Sequence, residues 1–134
     1  MITLSKTKKA LEAAEDMAKE LGINISTVIV DDHGSIVGSS RMDGSIPISP
    51  QFAYTKAFTS ANLGFATKDL GPFTNENKPY FGINTLFGGE LTSIAGGIPV
   101  VIGNKLCGGV GVGGSQNTMQ DHECSQAAVD VLTS

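Results

Sequence analysis

The sequence predicts an α+β domain with an antiparallel sheet covered by helices. Three observations carry this. An amphipathic segment opens the chain, and another segment with the composition of a helix closes it. A β-branched run, a tight turn and a second run form a hairpin signal near residues 25–41. A glycine-dense strand signal precedes the last helix. The order reads α-β-β-α-loop-β-β-(β)-α within one domain spanning 1–134.

Residues 3–21 read as a helix whose face is marked by Leu4, Leu11, Ala14, Ala18 and Leu21. Gly22 suits its C-terminal cap, and Glu15 and Lys19 form an i,i+4 pair on the wet side. Ile25–Asp31 is a strand, Asp32-His33-Gly34 a turn, and Ser35–Arg41 the partner strand. Ser49-Pro50 predicts a helix start, as N-cap and N1, and that helix runs to about Phe65. Residues 67–90 are irregular, with room for one short helix. Two or three strands follow between Leu91 and Val112. A last helix begins near Asn117 or Thr118 and buries Cys124, Ala127, Ala128 and Val131.

All eight aromatic residues lie between Phe52 and Phe87. Tyr54, Phe58 and Phe65 share a helical face, and spacing of this kind usually marks core. The competing expectation is that the aromatic loop walls a flat apolar pocket. A second stripe, Ala53, Ala57, Ser60 and Gly64, is small enough for close helix contact.

The glycines at 108, 109, 111, 113 and 114 are too dense for side-chain packing alone and imply close approach by a backbone or a ligand. Gly109-Val-Gly111-Val-Gly-Gly114 fits the G-x-G-x-x-G spacing. A dinucleotide site needs a further parallel strand and an acidic residue about 20 positions on, and neither is expected here. Close helix packing is the preferred reading.

Charge and composition exclude other classes. The formal net charge is −4, and no Lys or Arg follows Lys105, so no nucleic-acid footprint is expected. No apolar stretch is long enough for a membrane span, and the charged N-terminal segment is unlike a secretion signal. Two cysteines do not make a disulfide framework, which points to a reduced, cytoplasmic setting.

Several motifs occur in order: Val28-Ile-Val-Asp-Asp-His-Gly34, Arg41-Met-Asp-Gly44, Ala53-Tyr-Thr-Lys-Ala57, Gly96-Gly-Ile-Pro99, Gly108-Gly-Val-Gly-Val-Gly-Gly114 and Gln120-Asp121. Together they resemble the GlcG/HbpS family, which includes the C-terminal domain of PduO-type corrinoid adenosyltransferases. The resemblance spans nearly the whole chain. It implies a profilin-like α+β fold, homo-oligomers, and haem or a corrinoid as ligand. Haem-binding relatives use a histidine in the first helix, and this first helix has none. The histidines are His33 and His122. The usual Gly-Val-Ser-Gly is here Gly111-Val-Gly-Gly114.

The candidate ligand-binding residues are Arg41, Asp43, Lys56, Gly96, Gly97 and Asp121, since these charges and glycines fall within the motif segments. Arg41 and Asp43 are placed to pair with each other where the chain leaves the sheet. Asp121 is placed to complement a helix dipole, or to pair with Lys56 or Arg41 across a site. His33 and His122 are the candidate metal ligands, although Asp31-Asp-His-Gly34 is ordinary turn chemistry and His122-Glu-Cys124 diverge on a helix. Cys107 and Cys124 lack zinc spacing, and no paired acid and base names a reaction. Three functions remain. One is a small oligomeric haem- or tetrapyrrole-binding protein. Another is a non-catalytic accessory of glycolate, diol or glycerol metabolism that binds a small anionic metabolite. The last is an enzyme of unassigned reaction.

Overall fold

The computed structural model describes residues 1–134. Helix α1 (Leu4–Leu21) leads into β1 (Ser26–Asp31) and β2 (Ile36–Arg41). Helices α2 (Ser49–Leu63) and α3 (Gly71–Thr74) follow, the latter between short 3₁₀ segments at Thr67–Asp69 and Ile83–Gly89. Strands β3 (Gly97–Ile102) and β4 (Lys105–Gly113) precede the last helix, α4 (Thr118–Leu132). The four strands form one antiparallel sheet in the order β2-β1-β4-β3. Only two strands form after Leu91, and the first begins at Gly97.

The alternation of side chains along the strands divides the core in two. Ile25, Ile29, Val110 and Val112 pack with Ala10, Ala14 and Ala18 of α1 and with Cys124, Ala128 and Leu132 of α4. On the opposite face, Val28 and Val30 pack with Ala53, Ala57 and Ala61 of α2. Both faces are covered, so β1 is buried along nearly its whole length.

On that second face, β4 presents glycines instead of side chains. A Cβ on Gly111 would lie 1.9 Å from the Ala53 carbonyl oxygen, and one on Gly109 would lie 2.5 Å from that of Ala57. At Gly113 the nearest atoms would be Phe52 Cβ and the Ser49 oxygen, at 2.8 and 2.9 Å. Helix α2 thus lies backbone-to-backbone on β4, which is why Val and Gly alternate there. The close approach implied by the glycines is made by a helix.

Local chemistry explains the element ends. The Thr3 side chain accepts from the Lys6 N–H, and Gly22 closes α1 in the left-handed region at φ 71°. Helix α4 is capped by Asn117, whose side chain accepts from the Met119 N–H.

Four expectations need correction. Ser49 does not cap α2, because its hydroxyl is committed to Ser26 Oγ at 2.8 Å, and Ile48 occupies the cap position with no side-chain bond. The buried face of α1 is Thr7-Ala10-Ala14-Ala18, and Leu4 is exposed; the close α1–α4 contact favours small residues over leucines. On α4, Ala127 and Val131 are only half-buried, while Asp121, Ser125, Val129 and Leu132 join Cys124 and Ala128 inside. Lys19 pairs with Asp16, not Glu15, at 4.0 Å on the exposed side.

The aromatic residues are not core. Phe52, Phe65, Phe73, Tyr80, Phe81 and Phe87 are exposed, and Tyr54 and Phe58 are half-buried against each other at a centroid separation of 5.8 Å. Ala53, Ala57 and Ser60 of the small stripe took the buried position, because only small residues allow a helix to lie on glycines, while Gly64 is the exposed cap that ends α2. No helix is long and apolar enough to cross a membrane.

Candidate functional site

Lys56 and Asp121 meet inside the protein. Lys56 lies in the middle of α2 and Asp121 in the first turn of α4, on helices that cover opposite faces of the sheet. Their side chains converge beside the C-terminal end of β4. Lys56 Nζ donates to Asp121 Oδ2 at 3.1 Å and to the Val112 carbonyl at 2.9 Å. The other carboxylate oxygen, Oδ1, accepts from the Ser115 N–H at 3.1 Å. The two residues are only 3% and 1% exposed. Burial pulls the Lys56 amine below the ordinary lysine value and pushes the Asp121 carboxyl above the ordinary aspartate value; each charge opposes the shift of the other.

Gly96 and Gly97 form the third side of this arrangement. Gly96 has φ 132°, and a Cβ there would lie 2.6 Å from the Val112 oxygen and 2.8 Å from Lys56 Nζ. Its carbonyl accepts from the Val112 N–H at 3.0 Å and from the Ser125 hydroxyl of α4. The Gly97 N–H donates to Thr67 Oγ1 at 2.9 Å. Of the backbone N–H groups of these two glycines, expected to reach a ligand, that of Gly97 is bonded to the protein itself.

Two cavities flank Lys56 and share Phe52 and Ile94 as walls. One, of about 270 Å³, is also lined by Asp121, Ser115 and Thr118. The other, of about 240 Å³, is lined by Thr55, Asn84 and Thr92. Of the predicted ligand residues, the structure therefore brings together Lys56, Asp121, Gly96 and Gly97.

Arg41 and Asp43 are not part of that group. They line a separate polar cleft with Glu15, Lys19, Asn24 and Met42. The expected Arg41–Asp43 ion pair does not form; Arg41 Nη2 donates instead to the Ser45 carbonyl at 2.9 Å, bracing the loop after β2.

The histidines are in different settings, and neither lines the two cavities beside Lys56. His33 is exposed in the β1–β2 turn, with Nδ1 2.9 Å from Asp32 Oδ1. Asp31 Oδ1 accepts from the N–H groups of His33 and Ser35, which holds the turn and the Asp31 carboxyl below its usual range. Asp31, Asp32 and His33 form the one group of three ligand-type side chains close enough to share an ion. All their geometry is accounted for by turn chemistry.

His122 is half-buried on α4, and its Nδ1 is buried with no hydrogen-bond partner. Burial first, and Lys68 second, keep it below the ordinary histidine value, against Asp69 and Glu123. Both cysteines are buried and free, and burial pushes the Cys124 thiol up to about 12, so it is no nucleophile.

Sequence reasoning preferred core for the aromatic residues over a loop that walls an apolar pocket, and so missed how much hydrophobic surface is exposed. Besides the six rings, Ile46, Ile48, Leu86 and Ile94 are exposed. The signal was present in the absence of any helical or alternating pattern from residue 65 to 90.

The chain matches the family model described as haem degrading protein HbpS-like over residues 2–130. It is 33% identical to the protein GlcG of Escherichia coli K12 over 102 residues, covering 76% of this chain and 73% of that protein. The crystal structure of a Streptomyces reticuli HbpS double mutant superposes with TM-score 0.91 at 28% identity, covering all of this chain and 88% of the other. A crystal structure of a PduOC:heme complex has the same fold, with TM-score 0.93 at 24% identity over 98% of this chain and 94% of that one. The chain belongs to the HbpS-like family.

Proposed function

We propose, on the premise of that membership, that this protein binds haem or a related tetrapyrrole such as a corrinoid, as an oligomer. One observation carries the reading: five aromatic rings between Phe65 and Phe87, namely Phe65, Phe73, Tyr80, Phe81 and Phe87, are all exposed. Large exposed apolar patches mark binding surfaces, and a flat macrocycle stacks on aromatic rings. The names of relatives agree with this, since one solved structure with this fold is a heme complex.

The residues present fit the group. The buried, unpartnered Nδ1 of His122 belongs to a ring held toward its neutral form, the form that ligates metals. Lys68 and Asp69, whose charges act on that ring, belong to the short 3₁₀ segment between Phe65 and Phe73. His122 is the ligand we assign, with Phe65, Phe73, Tyr80, Phe81 and Phe87 as the apolar contacts. Haem supplies the chemistry of its iron; the chain supplies a nitrogen donor and an apolar surface. No cavity of one chain encloses so large a ligand, so a second copy closes the site, which makes homo-oligomerisation part of the proposal. The single-domain organisation over 1–134 and a reducing, cytoplasmic setting for the two free thiols complete it.

An optical titration with haem tests this. We expect a saturable Soret shift that His122→Ala alters and His33→Ala leaves unchanged. Absence of saturable binding rejects the tetrapyrrole reading. A spectrum altered only by His33→Ala moves the ligand to the hairpin turn.

The readings of Lys56 with Arg41 as an anion site lose their basis in geometry, because the lysine is committed to Asp121 and the arginine lies elsewhere. Lys56, Asp121, Gly96 and Gly97 are better assigned to a second, smaller site.

A further inference from the structure

Lys56 holds features that the tetrapyrrole reading does not use. It is a buried residue that lines two small cavities, and a carboxylate is fixed 3.1 Å from its nitrogen. An ammonium has three donors. Two are taken, by Val112 and Asp121, and the third has no partner within the protein.

We propose that Lys56 is an amine that captures small aldehydes as a reversible imine, with Asp121 as its proton acceptor and donor. The inference does not rest on haem binding.

The geometry supports each step. Asp121 takes a proton from the Lys56 ammonium and leaves a neutral amine. The nitrogen lone pair attacks the carbonyl carbon; a C–N bond forms and the C–O π bond breaks. Proton transfer through Asp121 from nitrogen to oxygen gives a neutral carbinolamine. Asp121, again protonated, then protonates the hydroxyl, water leaves, and a protonated imine remains beside the Asp121 carboxylate. One ammonium and one aldehyde become one iminium and one water, with no oxidant or reductant required. The charge pair is present at the start and at the end, so the buried carboxylate is never left without a cation.

The surroundings fit this chemistry. Burial favours the neutral, nucleophilic form of the amine, which is how lysines become reactive. The cavity that contains both Lys56 and Asp121 is walled by Ile46, Phe52 and Ile94, with the hydroxyls of Ser115 and Thr118 at its polar side. At about 270 Å³ it is below the usual size of drug-like sites, which suits it to small compounds. It holds no further cation for a carboxylate, which favours an aldehyde over an oxo acid.

The experiment is reductive trapping. The protein is incubated with limiting acetaldehyde and cyanoborohydride, and the product is examined by intact mass and peptide mapping. We expect one ethyl group per chain, at Lys56, ahead of the other seven lysines. Lys56→Arg, which keeps a cation for Asp121, should abolish that early label. Asp121→Asn should slow it by about 100-fold or more, the scale of a lost general acid–base. In the wild-type protein, Lys56 labelling should also persist to lower pH than labelling of surface lysines, a readout independent of whether Asp121→Asn folds. Labelling of surface lysines at equal or faster rates while Lys56 is spared overturns the proposal. Unchanged Lys56 labelling in a folded Asp121→Asn protein removes Asp121 from it.

Discussion

Strand β4 and the segment from Gly64 to Ala95 are both rich in glycine, and they use it in opposite ways. In β4, glycines at 109, 111 and 113 alternate with valines, and every one admits the backbone of α2. In the other segment, a Cβ on Gly71, Gly82 or Gly88 would meet nothing within 4 Å. Gly82, Gly88 and Gly89 have positive φ, as do Asn77 and Phe87. Here glycine turns the chain and leaves aromatic rings outside. The first region is rigid scaffold, where one methyl group is too many. The second is a surface assembled from turns, and its apolar groups await a partner. Glycine content alone distinguishes nothing; its alternation with valine, opposite an alanine stripe, does.

The largest expected effect follows from filling the seam. Gly111→Ala places a carbon inside van der Waals contact with a fixed carbonyl, and α2 must lift from the sheet. We expect a loss of about 3 kcal/mol or more, measured by urea denaturation. The matched change in the other region, Gly71→Ala, meets open space and no positive φ. It should be neutral or stabilise by about 0.4–1 kcal/mol. Equal costs at the two positions would erase the distinction.

Next comes the ion pair that ties the seam to α4. Lys56→Met leaves the Asp121 carboxylate buried without a cation, at a cost of about 3–5 kcal/mol. Combining it with Asp121→Leu should recover much of that loss, because no uncompensated charge remains. A single variant as stable as the parent would show that the pair contributes nothing to the seam.

A smaller effect on stability is expected on the aromatic side. Phe81 and Phe87 are 65% and 72% exposed, and Phe87 sits at φ 51°, where asparagine is better tolerated. The double change Phe81→Ser, Phe87→Asn should move stability by no more than about 0.5 kcal/mol. It should nevertheless weaken haem binding and self-association, read by titration and light scattering. Unfolding of this variant would mean that the rings belong to the core after all.

The smallest effect concerns pH. His122 has a folded-state value below 6.5, so between that value and 6.5 the unfolded chain binds more protons than the folded one. Stability therefore rises with pH across that window and is lost as pH falls through it. His122→Gln should flatten the slope there.

The sequence made the scaffold largely legible. The hairpin, the helix order and the packing role of the β4 glycines follow from period and composition, and the structure agrees with them. The aromatic placement did not follow, because two stripes on α2 compete for burial and helical spacing favours neither. Only the glycines opposite decide, since a phenylalanine cannot enter a gap that rejects a methyl group. The Lys56–Asp121 pair was one of several pairings open to those charges. Sixty-five residues separate the partners, and no local pattern signals which cation a helix-start aspartate will meet. The exchange of Arg41 from Asp43 to the Ser45 carbonyl was equally invisible, because it depends on the path of an exposed loop.

The separation of scaffold from binding surface is tested most directly by hydrogen exchange with and without haem. Slowed exchange should appear in residues 65–94 and at the start of α4 around His122, while amides of β4 and α2 stay as slow as before. Protection confined to the β1–β2 turn or to the β4–α2 seam, or no change anywhere at saturating haem, would contradict the account.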